Sequence, residues 1–298
     1  METLTPITKR FMTKYERHEP AVRDSTAIRA AKTCKRLYFY TMVLGFRKKD
    51  TKPYFAFGTC YHKFREVLER TQELKPALDA TLELWKKIGS NPPVGTKWDF
   101  LTGKRLLASC MCAFEWWQKE KTLGRVKVIA SEQPFQVLLS DNKTVIGGRA
   151  DQIVMWGGKL WGRDFKTASK MGEFYDRTLE PNDQFTRYTL GETKLQGAKV
   201  EGQLIEVMYN TSKEGPKIVP LVTSRTDWQL QEWEQDQIFY ERILQLCREE
   251  DRWPMEEINC PFCDFRSVCK APNELSMMHQ LDSNFVQQAW NFYNVGEE

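Results

Sequence analysis

The 298-residue chain has no apolar run approaching the roughly 18 residues that a bilayer-spanning helix needs, which argues against a membrane span. Its first residues, Met1 to Lys14, are polar and lack the apolar stretch of a secretory signal. A reducing cytosol is therefore the expected compartment, where cysteines serve as thiols or metal ligands rather than disulfides. Internal repeats, low-complexity tracts and Gly/Ser linkers are also missing. With 41% apolar residues the chain has enough material for a substantial core, as one large domain or two modest ones.

Charge is distributed unevenly. Residues 1–65 carry 15 Lys and Arg against 5 Asp and Glu, whereas the remainder is net acidic, so the overall +4 hides a basic end. Such an end suits a polyanionic partner, and a solvated basic surface accounts for it equally well.

Apolar periodicity predicts a helix from Ser25 to Phe46 and another from Gly58 to Gln72, whose Phe64, Val67 and Leu68 form one face. Helices continue to about Lys119, interrupted around Asn91-Pro92-Pro93-Val94-Gly95. Beyond Arg125 the texture becomes that of strands: Val126–Ile129, Phe135–Leu139, Thr144–Trp156 and Leu160–Lys166. Asp141-Asn142 and Gly157-Gly158 read as hairpin turns between them. A helix over Asn182–Gln196, strands over Gln203–Asn210 and Lys217–Thr223, and a polar helix over Thr226–Glu250 follow. This order predicts an α/β fold with a central sheet flanked by helices. Its regions are a helical N-terminal part (1–124), a core (125–224) and a C-terminal helix with a cysteine-rich segment (225–298), integrated as one domain.

Register brings acids together. A two-residue loop at Gly157-Gly158 pairs Trp156 with Lys159 and carries Asp151 opposite Asp164. A two-residue loop at Asp141-Asn142 pairs Ser140 with Lys143 and carries Glu132 opposite Asp151, although Pro134 beside it marks a bulge or edge. Lys166, two residues beyond Asp164, shares that face. Opposed carboxylates repel at the roughly 5 Å separation of cross-strand neighbours, and a divalent cation with hard oxygen ligands, Mg²⁺ or Mn²⁺, neutralises them. Acid-x-Lys is by itself a common pattern, occurring also at Asp50/Lys52, Glu73/Lys75, Asp141/Lys143 and Glu192/Lys194. Only Asp164-Phe165-Lys166 combines strand context with an opposed acid.

At these residues the chain resembles the PD-(D/E)XK nuclease superfamily, and within it the RecB-like and CRISPR-associated iron–sulfur exonucleases. Gly148-Arg149-Ala150-Asp151 followed by Asp164-Phe165-Lys166-Thr167 carries the likeness. The resemblance implies a restriction-endonuclease-like mixed sheet, with Asp151, Asp164 and the Phe165 carbonyl as metal ligands and Glu132 as an accessory acid. Gly58-Thr59-Cys60-Tyr61-His62 resembles the segment whose histidine ligates the metal, and Glu66 lies one turn on. Gln184 and Tyr188 fit the Gln-x-x-x-Tyr motif bordering the DNA path. The likeness spans about residues 25–270. It implies a metal-dependent deoxyribonuclease, an exonuclease acting on DNA with single-stranded ends in a bacterial, archaeal or phage-infected cell. A helicase, recombinase or CRISPR adaptation partner is also implied. Any unwinding would come from that partner, since the chain has no phosphate-binding Gly-rich loop.

Cys260-Pro261-Phe262-Cys263 and Cys269 form a C-x2-C-x5-C run, and Cys34 is a candidate fourth ligand. Four thiolates suit Zn²⁺ or a [4Fe–4S] cluster equally. The resemblance favours the cluster as a structural clasp joining the two ends of the chain. Phe262 and Phe265 are expected to pack around it. Cys60, Cys110, Cys112 and Cys247 read as small buried hydrophobes, the Cys110-x-Cys112 spacing being too close for the usual metal hairpin. For most aromatics core packing is the expectation, with stacking on unpaired bases as the alternative. Two further readings stay open: a non-catalytic nucleic-acid-binding adaptor on the same fold, and a zinc-stapled RNA-binding protein.

Overall fold

A computed structural model describes residues 14–49, 52–89, 91–92 and 94–291. In chain order it contains helix α1 (Ser25–Thr33), helix α2 (Lys35–Tyr38) running into a π-helical stretch (Phe39–Val43), and strand β1 (Phe46–Lys48). Helices α3 (Pro53–Thr71), α4 (Leu74–Ile88) and α5 (Gly103–Leu123) precede strands β2 (Val126–Leu138), β3 (Val145–Trp156) and β4 (Lys159–Ala168). Then come α6 (Glu173–Arg177), α7 (Asp183–Gln196), β5 (Val200–Tyr209), β6 (Lys217–Ser224) and the long α8 (Asp227–Glu249). A 3₁₀ turn (Glu257–Phe262), α9 (Arg266–Cys269), α10 (Glu274–Asn284) and β7 (Phe285–Gln287) complete the order.

Two compact units are formed. One takes the described residues within Met1–Asp50, Leu138–Gly147 and Gln231–Val295; the other takes those within Thr51–Val137 and Gly148–Leu230. The second holds a five-stranded mixed sheet in the order β2-β3-β4-β5-β6, the α/β arrangement expected. β3–β4 and β5–β6 pair antiparallel, while β4–β5 pair parallel through the crossover that contains α7. Phe57, Tyr61, Phe64 and Leu68 of α3 bury against Leu106, Cys110 and Ala113 of α5, together with Phe165 of β4 and Met208 of β5. Gln72 in the left-handed conformation ends α3, and Pro53 opens it at a position where no amide partner is required.

The first unit packs Tyr38, Phe39, Tyr40, Val43 and Leu44 with Leu244, Trp253, Phe265, Val268 and Phe285. Its small antiparallel sheet joins β1 to β7, with Arg47 opposite Val286.

Three sequence expectations need correction. The helix predicted over Ser25–Phe46 breaks at Cys34, whose extended backbone (φ −171°, ψ 126°) separates α1 from α2. The strands predicted over Val126–Ile129 and Phe135–Leu139 are one strand, interrupted only by a left-handed Glu132 (φ 51°). The turn after β2 spans four residues rather than two. There Leu139 N–H donates to Thr144 O at 2.9 Å, and Asp141 caps the turn by accepting from Lys143 and Thr144 N–H. The Gly157-Gly158 hairpin has the expected two-residue geometry, both glycines at positive φ and Trp156 facing Lys159.

Candidate active site

The β3–β4 ladder runs from Trp156–Lys159 to Gln152–Arg163 and stops. At the next step Asp151 Oδ2 accepts the Phe165 amide at 2.8 Å, so a carboxylate replaces a strand partner. β4 continues alongside β5, with Asp164 opposite Ile205 and Lys166 opposite Val207. The fork between β3 and β4 therefore holds Asp151 and Asp164 together. Asp164 is 1% exposed; its Oδ1 accepts from Gln184 Nε2 at 3.3 Å and its Oδ2 lies 2.5 Å from Lys166 Nζ. His62, on α3, reaches the same place, with Nδ1 3.5 Å from Asp151 Oδ2.

Electrostatics follow from crowding these groups away from water. Burial raises the pKa of both Asp151 and Asp164 above the ordinary carboxylate value, against the opposing pull of Lys166. Lys166 is raised, because the attraction of Asp164 and Asp151 outweighs its own burial. His62 is lowered to about 4 by burial and by the Lys166 charge, leaving the imidazole neutral with a lone pair to offer. Glu132 is raised to about 7, chiefly by burial and then by the Asp151 charge, while Arg149 Nε at 3.1 Å opposes the rise. Glu66, one turn from His62, is ion-paired with Lys63 at 3.0 Å.

Helix α7 supplies the far wall. Asn182 caps it by accepting from Phe185 N–H, and Gln184 and Tyr188 follow at helical spacing. The Tyr188 ring meets Phe135 edge-on at 5.9 Å. Gly148 lies beneath both rings, where an added Cβ would stand 2.8 Å from each, so that close approach needs glycine. Gly58 is different: a Cβ there would sit 3.4 Å from Thr167 Oγ1, an ordinary contact.

Sequence reasoning set Glu192 aside as one of several common acid-x-Lys patterns, yet it lies a further turn along the Gln184–Tyr188 face. It is fully buried, accepts from Gln203 Nε2 at 2.8 Å, and burial raises its pKa well above the usual range. Its helical spacing after Tyr188 was the signal available. Arg65, Arg163 and Glu206 were passed over.

The four cysteines lie within the other unit. Cys34 Sγ accepts the Glu256 amide at 3.4 Å, Cys260 Sγ donates to Glu256 O at 3.9 Å, and Cys269 N–H donates to Phe265 O. After burial, the charges of Cys34 and Cys260 raise Cys263; Cys269 is raised by burial against the pull of Arg36, with its three fellow thiols adding to the rise. Phe265 is buried and stacks on Tyr40 and Phe285, but Phe262 is 91% exposed and packs around nothing, contrary to expectation. The 3₁₀ turn points it outward. Cys60, Cys110 and Cys247 are buried and Cys112 is half-buried. Burial pushes Cys60 up to about 12 and Cys110 further. Among the described residues no three His, Cys, Asp or Glu side chains converge on one point to hold a metal ion. In the strand fork Asp151 and Asp164 are instead engaged by Phe165, Gln184 and Lys166.

A mixed sheet with two acids and a lysine at a strand fork is the frame of a nucleic-acid phosphodiesterase. The chain belongs to the PD-(D/E)XK nuclease superfamily, whose pattern matches residues 25–270. Enzymes of that superfamily typically use divalent metals and act on nucleic acid. Among solved structures, the chain is similar to a protein from Eubacterium rectale described as a "putative exonuclease". The two share 13% identity over 92% of each chain, with a TM-score of 0.51, a likeness of fold. A protein designated SSO0001 aligns at 15% identity over 72% of this chain and 85% of its own, with a TM-score of 0.31. No curated protein matches. No helix among the described residues is long and apolar enough to cross a membrane.

Proposed function

We propose that the protein is a metal-dependent deoxyribonuclease, an exonuclease acting on DNA with single-stranded ends during processing, recombination or repair. The observation that carries this reading is the strand fork, where His62 Nδ1 lies 3.5 Å from Asp151 Oδ2, Lys166 Nζ lies 2.5 Å from Asp164 Oδ2, and the Phe165 amide between the two acids is bonded to Asp151. A site that only binds DNA has no use for two buried acids.

The donor types, two carboxylates and an imidazole, suit a hard divalent ion. Two carboxylates held above their ordinary pKa are destabilised as anions, and a cation relieves that cost; a neutral imidazole adds a nitrogen donor. Asp151, Asp164, His62 and the Phe165 carbonyl would hold Mg²⁺ or Mn²⁺. A bound ion would supply Lewis acidity toward a phosphate. Lys166, whose ammonium is kept charged, orients the attacking water and balances charge on the phosphate. Glu132, raised to about 7, is the accessory carboxylate, able to accept a proton near neutral pH. Gln184 fixes Asp164, and Tyr188 borders the DNA path.

Cys34, Cys260, Cys263 and Cys269 would bind a structural [4Fe–4S] cluster, with Zn²⁺ as the alternative occupant. Their C-x2-C-x5-C spacing, with Cys34 in the same compact unit, supports a shared site. A helicase, recombinase or CRISPR adaptation partner would deliver the strand end. The competing reading is a non-catalytic adaptor on the same fold. End-labelled single- and double-stranded DNA incubated with Mg²⁺ or Mn²⁺, beside circular substrates, tests the reading. Release of label from linear DNA with circles intact is expected, and no cleavage with either metal would favour the adaptor.

A further inference from the structure

On the face of β4 away from Asp164 lies a charged assembly that the catalytic reading does not use. Arg65 Nη1 donates to Glu206 Oε2 at 3.0 Å and Nη2 donates to Glu69 Oε1 at 3.3 Å. Arg163 Nη2 is ion-paired with Glu206 and with Glu120, and its Nη1 donates to Gln152 Oε1 at 3.3 Å. The two guanidinium groups flank the Phe165 ring, at 4.0 Å for Arg65 and 5.6 Å for Arg163. Arg65 is fully buried, and Arg163 and Glu206 are each 4% exposed.

Taking such charges out of water is costly, and apolar residues of similar volume often serve stability as well or better. Stability alone does not explain the assembly. Its connectivity does. Arg163 directly precedes Asp164, Gln152 directly follows Asp151, and Arg65 lies three residues after His62 on α3. Glu206 stands on β5 opposite Phe165. Because neighbouring strand residues point to opposite faces, β3 and β4, which carry Asp151 and Asp164, each send a partner into this assembly, and α3, which carries His62, adds Arg65 from its next turn. Guanidinium groups are rigid planar forks, so bonds from two of them fix direction as well as distance.

We propose that Arg65, Glu206 and Arg163 are positioning residues that fix α3, β3 and β4 relative to one another, and so set where His62, Asp151 and Asp164 enter the strand fork to meet a divalent ion. The inference rests on the metal-binding reading of the strand fork. Glu120 is the solvent edge of the assembly, opening on a cleft of about 240 Å³ also lined by Glu69, Trp117 and Lys121.

The full chain carrying Arg65→Lys, Arg163→Lys or Glu120→Gln would be titrated with Mn²⁺ and followed by the loss of the free-ion paramagnetic resonance signal. Cleavage kinetics would be measured beside it, with Asp164→Asn as the reference. Each lysine variant keeps the charge but loses the fork. Mn²⁺ affinity should fall by about tenfold, with kcat falling and KM for DNA unchanged. Glu120→Gln, which strands no charge away from water, should fold and show a smaller loss of the same kind. Asp164→Asn with wild-type Mn²⁺ binding would overturn the reading of the site itself. Asp164→Asn without Mn²⁺ binding, beside network variants with wild-type affinity and kcat, would overturn the positioning role alone. Should the lysine variants fail to fold, wild-type affinity and kcat in Glu120→Gln would overturn that role by themselves.

Discussion

Asp151 Oδ2 accepts the backbone amide of Phe165 at 2.8 Å, at the step where β3 and β4 cease to pair. The bond aims one candidate acid at the backbone beside the other, and the Asp164–Lys166 ion pair lies beyond the end of the ladder. An amide donating to a carboxylate is stronger than to a neutral acceptor, so the bond also offsets part of the burial that raises the Asp151 pKa.

Asp151→Asn separates the two roles. An asparagine oxygen still accepts the Phe165 amide, so the fold should survive, whereas the charge is lost. Cleavage of end-labelled DNA is expected to fall by at least about a hundredfold with an unchanged circular dichroism spectrum. Wild-type rates would remove Asp151 from the site.

Lys166→Ala should abolish cleavage and leave Asp164 buried without its ammonium partner. Removing one partner of a buried ion pair costs on the order of 3–5 kcal/mol, so the metal-free variant should melt earlier at pH 8 and recover when Mn²⁺ is added. Equal melting temperatures with and without the lysine would show that Asp164 is neutral there.

Glu132 makes the stability of the metal-free protein depend on pH. Its folded pKa of about 7 lies above the ordinary carboxylate value, so the native state holds the proton more tightly than the unfolded chain. The stability it contributes is fully present below about pH 4.5 and lost as pH rises through about 7. Glu132→Gln should therefore gain on the wild type between pH 5 and 8, by no more than about 3 kcal/mol, and not at pH 4. A gain independent of pH would show that the Glu132 carboxyl is not the source of the pH dependence.

The opposite sign holds for His62, lowered to about 4 by burial and Lys166. Its contribution to stability is present above about pH 6.5 and lost as pH falls toward 4. The chain has three histidines, so their ring protons can be assigned by substitution. The His62 ring should remain neutral at pH 5.5, and Lys166→Ala should move its midpoint upward. Titration near 6.5 in both proteins would contradict the crowded environment.

The β3–β4 register was legible as far as Gln152–Arg163 because local signals converged on it, whereas the end of the ladder there, which leaves Asp151 and Asp164 in a fork instead of paired, was not. Gly157-Gly158 sets the register of Trp156 with Lys159, and the alternation of Asp164, Phe165 and Lys166 assigns faces. Helix α7 was legible from Asn182 at its cap. What could not be read depends on partners distant in sequence. Arg65 and Glu206 look like surface charges until α3 is packed on the sheet. β1 and β7 are three-residue strands whose pairing joins the two ends of one unit. Cys34 breaks a continuous apolar periodicity, because its extended backbone accompanies bonds from Glu256 to its sulfur and from Arg36 N–H to Pro254 O. The left-handed Glu132 carries no glycine or asparagine signal at all.

The last prediction concerns the cysteines. Purified without oxygen, the protein should be brown, with broad visible absorbance and about four irons per chain, as a [4Fe–4S] centre requires. Replacing Cys34, Cys260, Cys263 or Cys269 by serine should bleach it; replacing Cys60, Cys110, Cys112 or Cys247 should not. The unit that contains the four thiols has other means of holding its distant segments together. Arg23 bonds Glu241 at 2.9 Å, Arg248 bonds Glu19 and Glu241 at 2.7 Å, and Tyr38 OH donates to Glu19 at 2.8 Å. Tyr38 and Phe39 both stack on Trp253. Closing the same loop a second time with a metal centre adds little chain entropy, since the cost of closure grows only logarithmically with length and is already met. Metal–ligand binding adds its own folding free energy. A bleached Cys34→Ser protein should thus melt earlier yet remain folded, with its near-ultraviolet dichroism retained. Complete unfolding would show that the metal, not the packing around Trp253, holds the unit. One tightly bound zinc without iron would assign the site to zinc, and colour that survives Cys34→Ser would exclude Cys34 as a ligand.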